Sequence, residues 1–195
     1  MRFTTNNVNV EQLQEAIGAL NGQSAQLELI TRDDLDEMVA LFSNPDVYRS
    51  AHLRKPPTKE VLDDFIHDDL MLFIWRIFPS ENDVRGPQAG YIAWVNYAGP
   101  PFLMMVPTSE EFDLDVFQDG AQLVLQTYFT QTPGDELRFY MDHPVPEEIH
   151  HLLTEAGFDL WQEVAGVDPE EEATYIMERG TFQAYYIDVD DDDDY

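Results

Sequence analysis

The amino-acid sequence predicts an α/β fold in which strands and helices follow one another in a single domain. Three observations carry this. Apolar or alternating runs of strand length recur in series at residues 71–78, 89–97 and 102–106, each bounded by Pro, Gly or polar breaks. Leu114, Phe117, Ala121, Val124, Leu125 and Tyr128 repeat at helical spacing directly after them, and so do Ile149, Leu152, Leu153 and Ala156 further on. The composition, 44% hydrophobic and 12% aromatic over 195 residues, is that of a folded chain able to bury a sizeable core.

Taken in order, residues 10–20 read as a short helix with Leu13, Ile17 and Leu20 on one face, ended by Asn21-Gly22. Residues 26–30 alternate and form a strand. Thr31 caps the next helix, in which Asp33 and Asp34 fill the first turn and Leu35, Met38, Val39 and Phe42 point inward; Asn44-Pro45 stops it. Residues 46–55 form a loop or short helix carrying Arg49, Arg54 and Lys55, which are expected to pair with the acidic surface or, failing that, to contact a phosphate group. After Pro56-Pro57, Thr58 caps a helix running to residue 68. The three strands named above follow, with residues 80–87 as a polar loop. The central helix ends at Pro133-Gly134, and residues 137–141 return as a strand. A helix from Pro146 stops at Gly157, and the last core strands are residues 158–164 and 173–178. Residues 182–189 add an edge strand before a disordered run of aspartates. The expected divisions are a helical extension over 1–25, a core domain over 26–180, and the edge strand with its acidic tail over 181–195.

Charge sets the limits on function. Acidic residues number 39 and basic residues 10, for a net charge of −29. The field repels nucleic acid, anionic membrane and polyphosphates, and attracts cations and basic proteins. Three readings stand: a solvated surface suited to high salt, a face for a basic protein that imitates nucleic-acid phosphates, or an acidic pocket for a polyamine. With no cysteine there is no disulfide, thiolate nucleophile or Cys-held metal. No metal site is expected, because His150 and His151 are adjacent on a helix and diverge by about 100°. The expected setting is cytoplasmic, with neither secretory signal nor membrane span.

Certain residues resemble a known family. Glu155-Ala156-Gly157-Phe158 closes the penultimate helix, and Thr174-Tyr175-Ile176-Met177-Glu178-Arg179 forms the closing strand. With the order of elements over residues 26–179, these resemble the GNAT (GCN5-related N-acetyltransferase) superfamily. The resemblance implies a GNAT-like mixed, mostly antiparallel central sheet flanked by helices. It implies acyl transfer from acetyl-CoA to an amine, with the pantetheine arm along Leu103, Met104, Met105 and Val106. The pyrophosphate would sit on a glycine-bearing loop opening the central helix, of which Gly120 and Ala121 are the nearest echo. Residues 108–115 hold no glycine and four acids, Glu110, Glu111, Asp113 and Asp115. There is no Lys or Arg between Arg85 and Arg138. Where the family often has a tyrosine acid the chain has Leu153, and Val145-Pro146 replaces a common asparagine. His143 and then Tyr140 are the candidate bases for deprotonating an amine. The alternative is a non-catalytic GNAT-fold protein whose acidic face binds a basic protein or cationic small molecule, as an inhibitor or nucleic-acid mimic would.

Overall fold

The computed structural model describes residues 17–68, 72–81, 84–96, 100–109, 112–142, 144–161 and 172–186. The chain divides into two compact units, Met1–Thr127 and Tyr128–Tyr195.

In the first unit β1 (Ala19–Asn21) and β2 (Ala25–Leu29) form a hairpin, with Leu20 opposite Leu27. This corrects the expected helix over 10–20 at its described end. Asn21 is the last residue of β1 and Gly22 opens the hairpin turn, closed by the Gly22 N–H on the Ala25 carbonyl at 2.8 Å. The boundary expected at residue 25 therefore falls inside a paired hairpin. The sheet runs β1-β2-β3-β5-β6, where β3 is Leu72–Glu81, β5 is Gly90–Val95 and β6 is Phe102–Pro107. All of these neighbours are antiparallel. Part of the expected 80–87 loop is strand: β3 runs on through Glu81 and turns into β4 (Val84–Arg85).

One face of this sheet carries Leu27, Ile77, Trp75, Ile92 and Trp94 in register. The first half of the central helix α4 (Leu114–Gln131) packs there, and Gly120 lets the helix settle on Ile77. Among the described residues three short α-helices precede it in the chain: α1 (Leu35–Leu41), α2 (Pro45–Ser50) and α3 (Lys59–Asp63). Pro45 does not simply stop α1. It opens α2, where its missing N–H costs nothing, and Asn44 Oδ1 accepts from the Asp46 N–H at 3.0 Å. Thr58 caps α3 as expected, but α3 ends at Asp63 and widens into a π turn, Asp64–Asp68. Trp75 is fully buried, and its indole N–H donates to the Ile17 carbonyl at 2.8 Å.

In the second unit β7 (Glu136–Asp142), β9 (Glu172–Glu178) and β8 (Asp159–Trp161) pair antiparallel in that order. Their buried side holds Leu137, Phe139, Tyr175 and Met177. The helix α5 (Glu147–Glu155) stops at Gly157, whose φ of 84° is the left-handed cap the sequence predicts. The expected edge strand over 182–189 is instead α6 (Arg179–Tyr186) as far as it is described. The reason is spacing: Phe182 and Tyr186 lie one turn apart and stack at 5.1 Å, while Phe182 stacks on Phe129 at 4.8 Å. No described helix is long and apolar enough to cross a membrane.

Candidate functional site

Two places bear on function, the head of α4 with its feeding strand, and a polar row on the opposite face of the sheet. Leu103 and Met104 are buried in β6, whereas Met105 and Val106 are half-buried towards its end. The chain then reaches Asp113, whose Oδ1 accepts from the Asp115 N–H at 3.0 Å and whose carbonyl accepts from Phe117 at 3.3 Å. Asp113 thus caps the helix, and a carboxylate of the chain itself fills an N-terminal donor. Glu110 and Glu111 lie outside the described residues. Gly120 and Ala121 lie in the second turn, where Gly120 is buried against Ile77. Between them and the cap, Asp119 points back to the hairpin, accepting from Ser24 N–H at 2.6 Å and Ala25 N–H at 2.8 Å. The stretch that echoed a cofactor motif is used for packing and for anchoring a hairpin.

The polar row is Glu28, Arg76 and Tyr91, consecutive across three strands. Arg76 bonds Glu28 at 3.0 Å, Glu37 at 2.6 Å and Asp34 at 2.5 Å, and the Tyr91 hydroxyl donates to Glu37 at 2.9 Å. The Arg76 guanidinium holds the Glu37 carboxyl below the usual range against the opposing effect of burial. Burial alone would raise Asp34, but the Thr31 N–H and Arg76 outweigh it, and the group is lowered. Arg76 itself is raised, chiefly by Glu37. Burial raises Tyr91. The row is a closed ion network, legible in the sequence only as an Arg inside an apolar strand.

Tyr140 is half-buried on β7, cross-strand from Thr174. Thr174 is 1% exposed and its hydroxyl has no hydrogen-bond partner. His143 lies outside the described residues. Leu153 is buried, so no acid stands at that turn of α5. Sequence reasoning missed one titratable pair, His150 Nδ1 and the Tyr175 hydroxyl at 2.8 Å, with Tyr175 raised by burial. Among the described residues no group of His, Asp and Glu is placed to hold a metal.

No protein-family model and no curated protein matches the sequence. Structures do match. The chain is similar to an apo nucleotide-linked sugar GNAT, FdhC, with a TM-score of 0.58 and 14% identity over 88% of this chain and 96% of that one. The fold is that of the GNAT acetyltransferases. The spermidine N-acetyltransferase of Vibrio cholerae, in complex with CoA and spermine, is similar at TM-score 0.57 and 14% identity, over 82% of this chain and 98% of its own. The aminoglycoside acetyltransferase AAC(6')-Ib, in complex with coenzyme A, is similar at TM-score 0.55 and 14% identity, over 83% and 99%.

Against this GNAT fold, acetyl-CoA can be tested on the donor set. The apolar strand β6 suits a pantetheine arm. The head of α4 does not suit a pyrophosphate: Asp113 already takes a helix N–H, Asp115 follows it, and no Lys or Arg lies between Arg85 and Arg138. Carboxylates within about 8 Å of a phosphate add on the order of 0.5–1 kcal/mol of repulsion per charge pair. The residues present do not fit the nucleotide end of the cofactor.

Proposed function

We propose that this GNAT-fold chain binds a cationic partner, a basic protein or a polyamine-like small molecule, and does not transfer an acyl group from acetyl-CoA at the head of α4. The observation that carries this reading is the Asp113 cap. A carboxylate occupies a donor that an anionic cofactor would need, and carboxylates that repel a pyrophosphate attract an ammonium group. The paired bases leave most of the 39 acids free to act on a partner.

A second reading is N-acyl transfer to a cationic amine, with His143 or Tyr140 as base. The fold supports it, and so does the likeness to an enzyme whose structure holds both CoA and spermine. Calorimetric titration separates the two. With spermine at low salt and acetyl-CoA at both low and molar salt, the first reading expects spermine to bind and acetyl-CoA to bind at neither salt. Saturable acetyl-CoA binding with acetylation of spermine establishes the second. Absence of spermine binding, with a basic peptide equally inert, removes the cationic partner.

A further inference from the structure

Six of the nine described Lys and Arg side chains are held by partners in the chain. Arg32 pairs with Asp63, Lys59 with Asp36, Arg76 with three carboxylates, Arg85 with Glu28 and Arg138 with Glu136. Arg179 donates to three backbone carbonyls. Among the described Lys and Arg residues, only Arg49, Arg54 and Lys55 have neither an ion pair nor a side-chain hydrogen bond, and all three are exposed. The expected pairing with the acidic surface is not made among the described residues. Residues 47–59 hold no acid at all, in a chain with 39. Asp46 and Glu60, the acids that flank this stretch, bond none of them.

The segment is also built into a fixed shape. α2 ends in a Schellman turn: the Leu53 N–H donates to the Tyr48 carbonyl at 2.8 Å and the His52 N–H to the Arg49 carbonyl at 2.7 Å. The left-handed position of that turn, where glycine is usual, is filled by His52 at φ 55°. Its ring packs on buried Phe102 at 4.8 Å, pinning the turn to the first residue of β6. Arg49 lies over the Tyr48 ring at 5.9 Å. Phe102 is at the end of β6 away from Pro107, roughly 17 Å along the strand, so this is a different place from the head of α4.

We infer that Arg49, Arg54 and Lys55 bind a compact oxyanion, a phosphate or carboxylate group on a small ligand. Guanidinium groups offer paired donors to such groups. A long polyanion is excluded, because the surrounding charge of −29 would oppose every further contact.

The test is amide chemical-shift titration of the full chain with inorganic phosphate and with succinate, each against sodium chloride at matched ionic strength. The expected result is saturable shifts confined to residues 48–55, from one or both probes and not from chloride. The probe that saturates first identifies the anion type. The triple variant R49Q/R54Q/K55Q, and R54Q alone as a milder change, should bind about tenfold or more weakly. Shifts that chloride reproduces, that do not saturate, or that persist in these variants overturn the site.

Discussion

The two ends of α4 are finished in opposite ways. At its head the chain supplies a carboxylate: Asp113 caps the helix, and Asp115 sits in the first turn. At its tail the chain supplies a guanidinium. Arg179 Nη1 donates to the Phe129 carbonyl at 2.6 Å, Nη2 to Thr132 and Gly134 at 2.7 Å each, and Nε to Gly134 at 2.9 Å. Both arrangements oppose the helix dipole with the right sign. The difference lies in what each leaves over. One side chain gathers three carbonyls at and just past the tail, whereas the head carries more negative charge than capping requires. The head of the helix is closed by the residue that precedes it, and the tail by a side chain from α6.

The tail should be the more fragile end. Arg179→Ala strands several carbonyls and removes the Phe129 cation–π contact at 5.3 Å; a loss on the order of 3 kcal/mol is expected in urea unfolding. A loss under about 1 kcal/mol would mean that water replaces the clamp. The head depends more on packing. Gly90 passes beneath α4 with no room for a side chain, since a Cβ there would stand 2.7 Å from Phe117 Cζ and 2.9 Å from Pro107 Cα. Gly90→Ala should cost roughly 2 kcal/mol, read in the same experiment. Next come the two aspartates of the head. Asp119→Ala removes the acceptor for two backbone donors and should cost about 2 kcal/mol, against about 1 kcal/mol for the cap variant Asp113→Ala. Equal costs would show that Asp119 does not anchor the hairpin.

The smallest effect is one of pH. Asp34 and Glu37 titrate lower in the folded chain than in the unfolded one. Their stabilisation is therefore complete above the unfolded carboxylate value and is lost as pH falls through the folded one. An unfolding midpoint followed below about pH 4 should drop less steeply in Arg76→Met than in the parent chain, because the variant no longer lowers those carboxyls. Parallel slopes would show that Arg76 does not set them.

What could be read in advance was the periodic part. Leu114 to Tyr128 gave a helix, Gly157 gave its neighbour's stop, and the closing strand with Arg179 carried the family resemblance. Errors fell where one signal serves two structures. Asn21-Gly22 ends helices and turns hairpins, and the pairing of Leu20 with Leu27, not local preference, decided for the hairpin. Phe182 to Tyr186 has the aromatic content of a strand, but i, i+4 stacking made it helix. The site was legible only as a sign of charge. That Asp113 turns its carboxylate onto its own helix while Asp119 reaches back to Ser24 depends on contacts between residues far apart in the chain.

The Asp119 anchor also orders events in time. Its bonds to Ser24 and Ala25 join residues 95 and 94 positions apart. The β1–β2 hairpin closes locally, on the microsecond scale. It cannot be fastened until α4 has formed and folded back across that long loop. During synthesis the hairpin therefore leaves the ribosome well before its fastener. Loosening it should accelerate unfolding and leave the folding rate almost unchanged, the mark of a contact made after the barrier.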